Sequence, residues 1–164
     1  DHAFGTWFGR PGTLMAAADE VHVTVRGVGG HGSAPDRAKD PVPVACEIVL
    51  AYQSAVTRQF SVWDPVVLTV GRIAAGTKDN IIPDDAFVDA TLRTFSAENR
   101  SRAHDVVTRV AEHVAQELLG RDDLDRHDRL ELRRLRRRDR FAQRRLRRDT
   151  PADIGLDVVA RRDA

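Results

Sequence analysis

His31 is the residue whose type and setting most invite chemistry: one imidazole in the run Gly27-Val28-Gly29-Gly30-His31-Gly32-Ser33-Ala34-Pro35. Four glycines in six positions let a backbone turn sharply and approach another group closely, which a packed core rarely needs. A histidine on such a loop can ligate a metal, donate a hydrogen bond to a substrate, or simply occupy a loop. Two further polar residues sit in suggestive places. Asn80 lies in Gly76-Thr77-Lys78-Asp79-Asn80-Ile81-Ile82-Pro83-Asp84-Asp85. Its type suits an ordinary turn, yet the loop also carries two isoleucines that a plain hairpin does not require. Arg93 falls on the polar face of a strand, as a solvated residue or a cross-strand partner of Asp89.

Other chemistries are excluded by context. Gly27, Gly29 and Gly32 match the spacing of a dinucleotide-binding loop, but Pro35, Pro41 and Pro43 push the next helix well beyond the third glycine, and no Gly-Lys-Ser/Thr is present. The six histidines, at 2, 22, 31, 104, 113 and 127, show no paired ligand spacing. A single cysteine, Cys46, can form neither an internal disulfide nor a cysteine-based zinc site, and its Ala/Val/Ile surroundings predict a buried structural thiol. No metal ligands are assigned to this chain.

Positioning these residues requires a scaffold, and the hydrophobic pattern supplies one. From Asp19, Val21, Val23 and Val25 alternate with His22, Thr24 and Arg26, predicting a half-buried strand that delivers the chain into the glycine loop. Asp40, Pro41 and Pro43 open a helix carrying Val44, Ile48, Tyr52, Ala55 and Val56 on one stripe, with the Asp40 carboxylate as cap for the Val42 amide. Strands follow at 66–73 and 86–95, with Arg93 beside Phe87, Asp89 and Thr91 on the second strand's outer face. Ser96 then caps a second helix, striped by Ala103, Val106, Val107, Val110, Val114 and Leu118 and closed by Gly120.

This order predicts an α+β, ferredoxin-like split βαβ fold: an antiparallel sheet with two helices on one face. Its last strand is in doubt, because an arginine-rich tail begins where that strand should fall, and 129–133 is the only short alternating candidate. Three segments result: a lead-in at 1–18, a domain at 19–120 and an irregular tail at 121–164. Charge divides with them. Residues 1–120 hold 11 Lys/Arg against 15 Asp/Glu, whereas 121–164 hold 15 Arg, no Lys and 10 Asp/Glu, within a net charge of +1.

Taken together, Gly29 to Pro35, Asp40-Pro41, Asn80-Ile81-Ile82-Pro83-Asp84 and Thr91-Leu92-Arg93-Thr94-Phe95 resemble the dimerisation, or lid, domain of the zinc-dependent amidohydrolase and carboxypeptidase family. Its members include hippurate hydrolase, indole-acetyl amino acid hydrolases, aminoacylase and succinyl-diaminopimelate desuccinylase. The resemblance runs from about Gly5 to Gly120. It implies a fragment of an enzyme that cleaves the amide bond of N-acyl amino acids, with a lid that forms a homodimer and reaches into the partner's metal site. His31 would then be catalytic, donating to the scissile carbonyl as it becomes an oxyanion, while Asn80 and Arg93 bind the substrate, Arg93 as a fork for its carboxylate. The family's zinc (or manganese) would be held by flanking catalytic segments that this chain does not contain, so the chain alone is expected to bind no cofactor and to be inactive. Asp36 also departs from the family, whose close members often have histidine after the proline.

Two readings of the tail stand beside this. Its composition fits a solvated, disordered segment, and arginine without lysine is what out-of-frame translation of a GC-rich gene beyond about Leu119 would produce. The competing function is a ferredoxin-like binding module with a nucleic-acid-binding basic tail. The third strand lacks the Lys/Arg-Gly-Phe signature of an RNA-reading sheet, which argues against it. No apolar run reaches the roughly 18–20 residues of a membrane span, and no signal peptide opens the chain, so a cytoplasmic location is expected.

Overall fold

The computed structural model describes residues 4–7, 9 and 11–120, together with the backbone of a strand at Leu156–Arg162. In order, the elements are β1 (Ala17–Arg26), β2 (Gly30–His31), a 3-10 turn (Pro35–Arg37), α1 (Pro41–Gln59), β3 (Val66–Ala75), β4 (Ile81–Ile82), β5 (Asp85–Thr94), α2 (Ala97–Leu119) and β6 (Leu156–Arg162). Four strands form one sheet in the order β3-β5-β1-β6, every neighbouring pair antiparallel. Helix α1 therefore carries the chain from β1 past β5 to β3, and α2 follows β5 in the chain and packs against β1, β3, β5 and β6. This is the split βαβ plan read from the order of elements.

The alternation in β1 and β5 decides which face is covered. Val21, Val23 and Val25 of β1 and Ala86, Val88, Ala90 and Leu92 of β5 are buried, and they pack with Ile48 and Tyr52 of α1 and Ala103, Val107, Ala111, Ala115 and Leu119 of α2. Each fully buried Val, Leu or Ile contributes about 1.5–3 kcal/mol relative to an exposed one. Helix ends follow the sequence signals. Asp40 Oδ1 accepts the Val42 amide at 2.9 Å, and Ser96 Oγ accepts the Asn99 amide at 3.1 Å. Ser96 Oγ also donates to Asp64 Oδ2 at 2.6 Å, tying the α1–β3 connector to the start of α2. Gly120 follows α2 at a φ of 98°, which a side chain would strain.

The fold departs from the sequence reading in three places. The expected last strand is present as β6, pairing with β1 from Asp19 opposite Arg162 to Val25 opposite Leu156. It comes after the arginine-rich run, and the alternating segment 129–133 lies outside the described residues. The α2 stripe is centred differently: Leu119 is buried and Leu118 is half exposed. Residues 103, 107, 111, 115 and 119 form one ridge of every fourth residue, and its small alanines let α2 lie close to the sheet. Cys46 is exposed rather than buried. One position beyond Ala45 is about 100° around the helix, enough to turn it outward. There it lines a shallow apolar groove with Val49, Leu50, Val70 and Ile73.

One charge is taken into this core. Asp19 stands on the covered face of β1 with no side-chain exposure, and the Arg100 guanidinium grips it at 2.6 Å (Nη2 to Oδ1) and 2.9 Å (Nε to Oδ2). His104 Nε2 lies 3.4 Å from the same carboxylate. Burial alone pushes the Asp19 carboxyl up, but the bonds from Arg100 and the charges of His104 and Arg100 outweigh it and hold the group below the usual carboxylate range.

Candidate functional site

Beyond the end of the main sheet the two suspect loops meet. β2 and β4 form a small antiparallel ladder with Gly30 opposite Ile82 and His31 opposite Ile81. The Gly32 amide donates to the Asn80 carbonyl at 2.8 Å, and the Gly27 amide to the Asp84 carbonyl at 2.7 Å. Asp84 does more than its backbone: its Oδ1 accepts the Gly29 amide at 2.9 Å. On the other side Val28 and Lys39 exchange two backbone bonds of 2.9 Å. The glycine loop is thus held along both edges.

The glycines are needed for that closeness and not for sharp turning, since the positive-φ glycines among the described residues are Gly5, Gly12, Gly76 and Gly120. A Cβ on Gly27 would run into the Lys39 carbonyl, and one on Gly32 would lie 3.1 Å from the Asn80 carbonyl oxygen. Gly27 must be glycine for the chain to pass Lys39, while a side chain at Gly32 would require the Asn80 backbone to give by a few tenths of an ångström.

His31 is exposed at the tip of this ladder. Its Nδ1 lies 2.8 Å from Ser33 Oγ and 3.2 Å from the Ser33 amide nitrogen. Asn80, also exposed, sits beside it across the ladder, so the structure brings these two candidates together. Arg93 is elsewhere. The eight steps along β5 from Asp85 to Arg93 span roughly 27 Å. There Arg93 is exposed on the open face of the sheet, opposite Ala18 and Val67, neither of which can pair with its charge. Asp89, the partner considered for it, is engaged instead by His22 (Nδ1 to Oδ1, 2.9 Å) and Arg72 (Nη1 to Oδ2, 3.0 Å). His22 Nε2 also meets Glu20 Oε2 at 3.3 Å. The hydrogen bond that His22 donates to the Asp89 carboxylate is the main cause that raises the His22 pKa, and the same bond lowers that of Asp89.

The roles of Ser33 and Asp84 were not assigned from sequence. Both lie in the quoted motifs, and the signal was their position: a hydroxyl two residues after the histidine, and a carboxylate closing the second loop. Among the described residues no group of three or more His, Cys, Asp or Glu comes together to hold a metal ion. No described helix is long and apolar enough to cross a membrane.

The split βαβ domain and its paired loops agree with one family model, described as a peptidase dimerisation domain, which matches residues 17–122. The chain belongs to this family. Relatives of the peptidase dimerisation domain seen here include thermostable carboxypeptidase 2 of Saccharolobus solfataricus, 38% identical over 110 residues, covering 67% of this chain and 28% of the relative. N-acetylcysteine deacetylase of Bacillus subtilis is 37% identical over 115 residues, covering 70% and 30%. A solved dinuclear metal-binding peptidase of the M20 family from Bacillus subtilis superposes with a TM-score of 0.51 at 29% identity, over 67% of this chain and 25% of that one. The chain thus spans about a third or less of the length of these relatives.

Proposed function

We propose that this domain is the lid of a metal-dependent amidohydrolase acting on N-acyl amino acids, and that it works as a homodimer. The observation that carries this reading is that the β2–β4 ladder, which pairs His31 with Ile81, leaves His31 and the adjoining Asn80 both exposed at one end. The names of the relatives, a deacetylase of N-acetylcysteine among them, support the substrate class. In this reading His31 donates to the substrate carbonyl as negative charge develops on its oxygen, and Asn80 orients the acyl group beside it. Arg93 receives the substrate carboxylate. Because Arg93 lies far beyond the reach of a small molecule bound at His31, a complete site draws His31 and Asn80 from one lid and Arg93 from its twin. The metal, zinc or manganese, belongs to the remainder of the enzyme.

The twin fits the open edge of the sheet. β3 is an edge strand of the sheet, exposing Val67 on the open face opposite Arg93 and Ile73 in the groove beside Leu50 of α1. Such an edge is a ready template for another strand. To test the function, residues 17–122 replace the matching segment of the Bacillus subtilis N-acetylcysteine deacetylase, and the chimera is assayed with an N-acetyl amino acid. His31→Gln is expected to lower kcat by about 100-fold or more with little change in KM. A His31→Gln chimera as active as its parent refutes the reading.

A further inference from the structure

We propose that Ser33 is a positioning residue that holds His31 as its Nε2–H tautomer, with that N–H on the edge of the ring facing away from the loop. The argument starts from what each atom can do. A neutral imidazole has one N–H and one lone pair, and a backbone amide can only donate. The Ser33 amide approaches Nδ1 at 3.2 Å, so Nδ1 presents its lone pair there. The Ser33 hydroxyl, 2.8 Å from the same nitrogen, rotates to donate as well. The amide donor on Nδ1 places the ring proton on Nε2, and the hydroxyl then shares the same lone pair, since the bond made by one ring nitrogen sets the state of the other.

The surrounding backbone makes this arrangement stiff. The Ala34 amide donates to the His31 carbonyl at 2.9 Å, closing a four-residue turn over 31–34, and the Arg37 amide caps the next turn on the Ala34 carbonyl at 3.1 Å. His31 is fixed on its other side by β4. The ring is therefore held through its own nitrogen as well as through the main chain. The consequence for catalysis rests on the function proposed above. A donor to a developing oxyanion must present an N–H at the moment charge appears, and a ring that exchanged tautomers would present a lone pair and repel it.

The test uses the full 164-residue chain, labelled with nitrogen-15, at a pH high enough that its imidazoles are neutral. Long-range proton–nitrogen correlation reads which ring nitrogen of His31 carries the proton. The expected result is Nε2–H in the parent. Ser33→Ala removes the shorter of the two donors, and the Nε2–H to Nδ1–H ratio falls roughly five- to tenfold, the equivalent of one hydrogen bond. Ser33→Thr restores it, and the His22 signals do not move in either variant. An Nδ1–H parent, an unchanged ratio in Ser33→Ala, or a Ser33→Thr that behaves like Ser33→Ala each overturns the proposal. The readout needs no activity. If the tautomer is as stated but His31→Gln leaves the chimera's turnover intact, the functional reading fails and the role of Ser33 stands.

Discussion

Arg100→Met is the perturbation that best tests how this fold carries a buried charge. Asp19 has no side-chain exposure, and Arg100 supplies its two shortest bonds, at 2.6 and 2.9 Å. Removing the guanidinium while keeping an apolar stem leaves the carboxylate with the His104 imidazole at 3.4 Å as its nearest remaining polar side chain. Breaking a buried pair from one side costs about 3–5 kcal/mol. Arg100 itself keeps a quarter of its side chain in solvent, so the low end, about 3 kcal/mol, applies here. That is a large part of the roughly 5–15 kcal/mol that holds a domain together. Replacing both partners, Asp19→Leu with Arg100→Met, is expected to be near neutral, because no charge is left stranded. The pH dependence gives a second check. In the parent, the Asp19 carboxyl is held below its unfolded value of 3.8, so its contribution is present above pH 3.8 and is lost as pH falls through the folded value. In Arg100→Met, burial acts with far less opposition and the folded value rises above the unfolded one. Stability then falls as pH rises from acid toward neutral, the opposite slope. Urea unfolding followed by circular dichroism between pH 3 and 7 measures both effects. An Arg100→Met protein within about 0.5 kcal/mol of the parent at pH 7, or one that keeps the parent's acid slope, refutes the account.

Three other outcomes follow from the same structure. Gly27→Ala drives a methyl into the Lys39 carbonyl and costs about 1–3 kcal/mol, with hydrogen-exchange protection of the Gly29 and Gly32 amides reduced together; unaltered protection contradicts the close-approach argument. Asp89→Asn returns the His22 pKa toward 6.5, as followed by NMR titration. His22 contributes its stabilisation fully below pH 6.5 and loses it as pH rises through the raised value, and because the network is half exposed the effect stays under about 1 kcal/mol. Tyr52→Phe removes a buried hydroxyl that no described residue partners, so the thermal midpoint is expected to hold or rise; a loss above about 1 kcal/mol would reveal a bonded hydroxyl.

How much of this was legible in the sequence depends on whether the cause was local. The Asp40 and Ser96 caps, the alternation of Val21 to Val25 and the closing Gly120 are each decided within a few residues, and each is where the pattern placed it. The family, too, could be read, because four short motifs occur in order. What escaped was decided at a distance. Strand β6 is specified by a partner almost at the other end of the chain and follows a run of arginines that hides it. That His31 and Asn80 meet, while Arg93 stands apart, follows from strand length and pairing and not from any property of the three residues. Ser33 and Asp84 were visible as letters, but only the fold shows which nitrogen each of them meets.

The place of β6 also bears on the order in which the domain assembles. β5 pairs with β3 across a short loop, but β1 must wait for β6 across a separation that runs from Asp19 to Arg162. Folding rates fall as contacting residues lie further apart in sequence, so β6 is expected to join last, onto a domain already built from β1, β3, β5 and both helices. During that interval the β1 edge is an open berth, and an equivalent strand from another copy of the chain can occupy it. A strand that joins last is exchangeable between copies, so refolding at high protein concentration is expected to yield more strand-swapped dimer than refolding at high dilution.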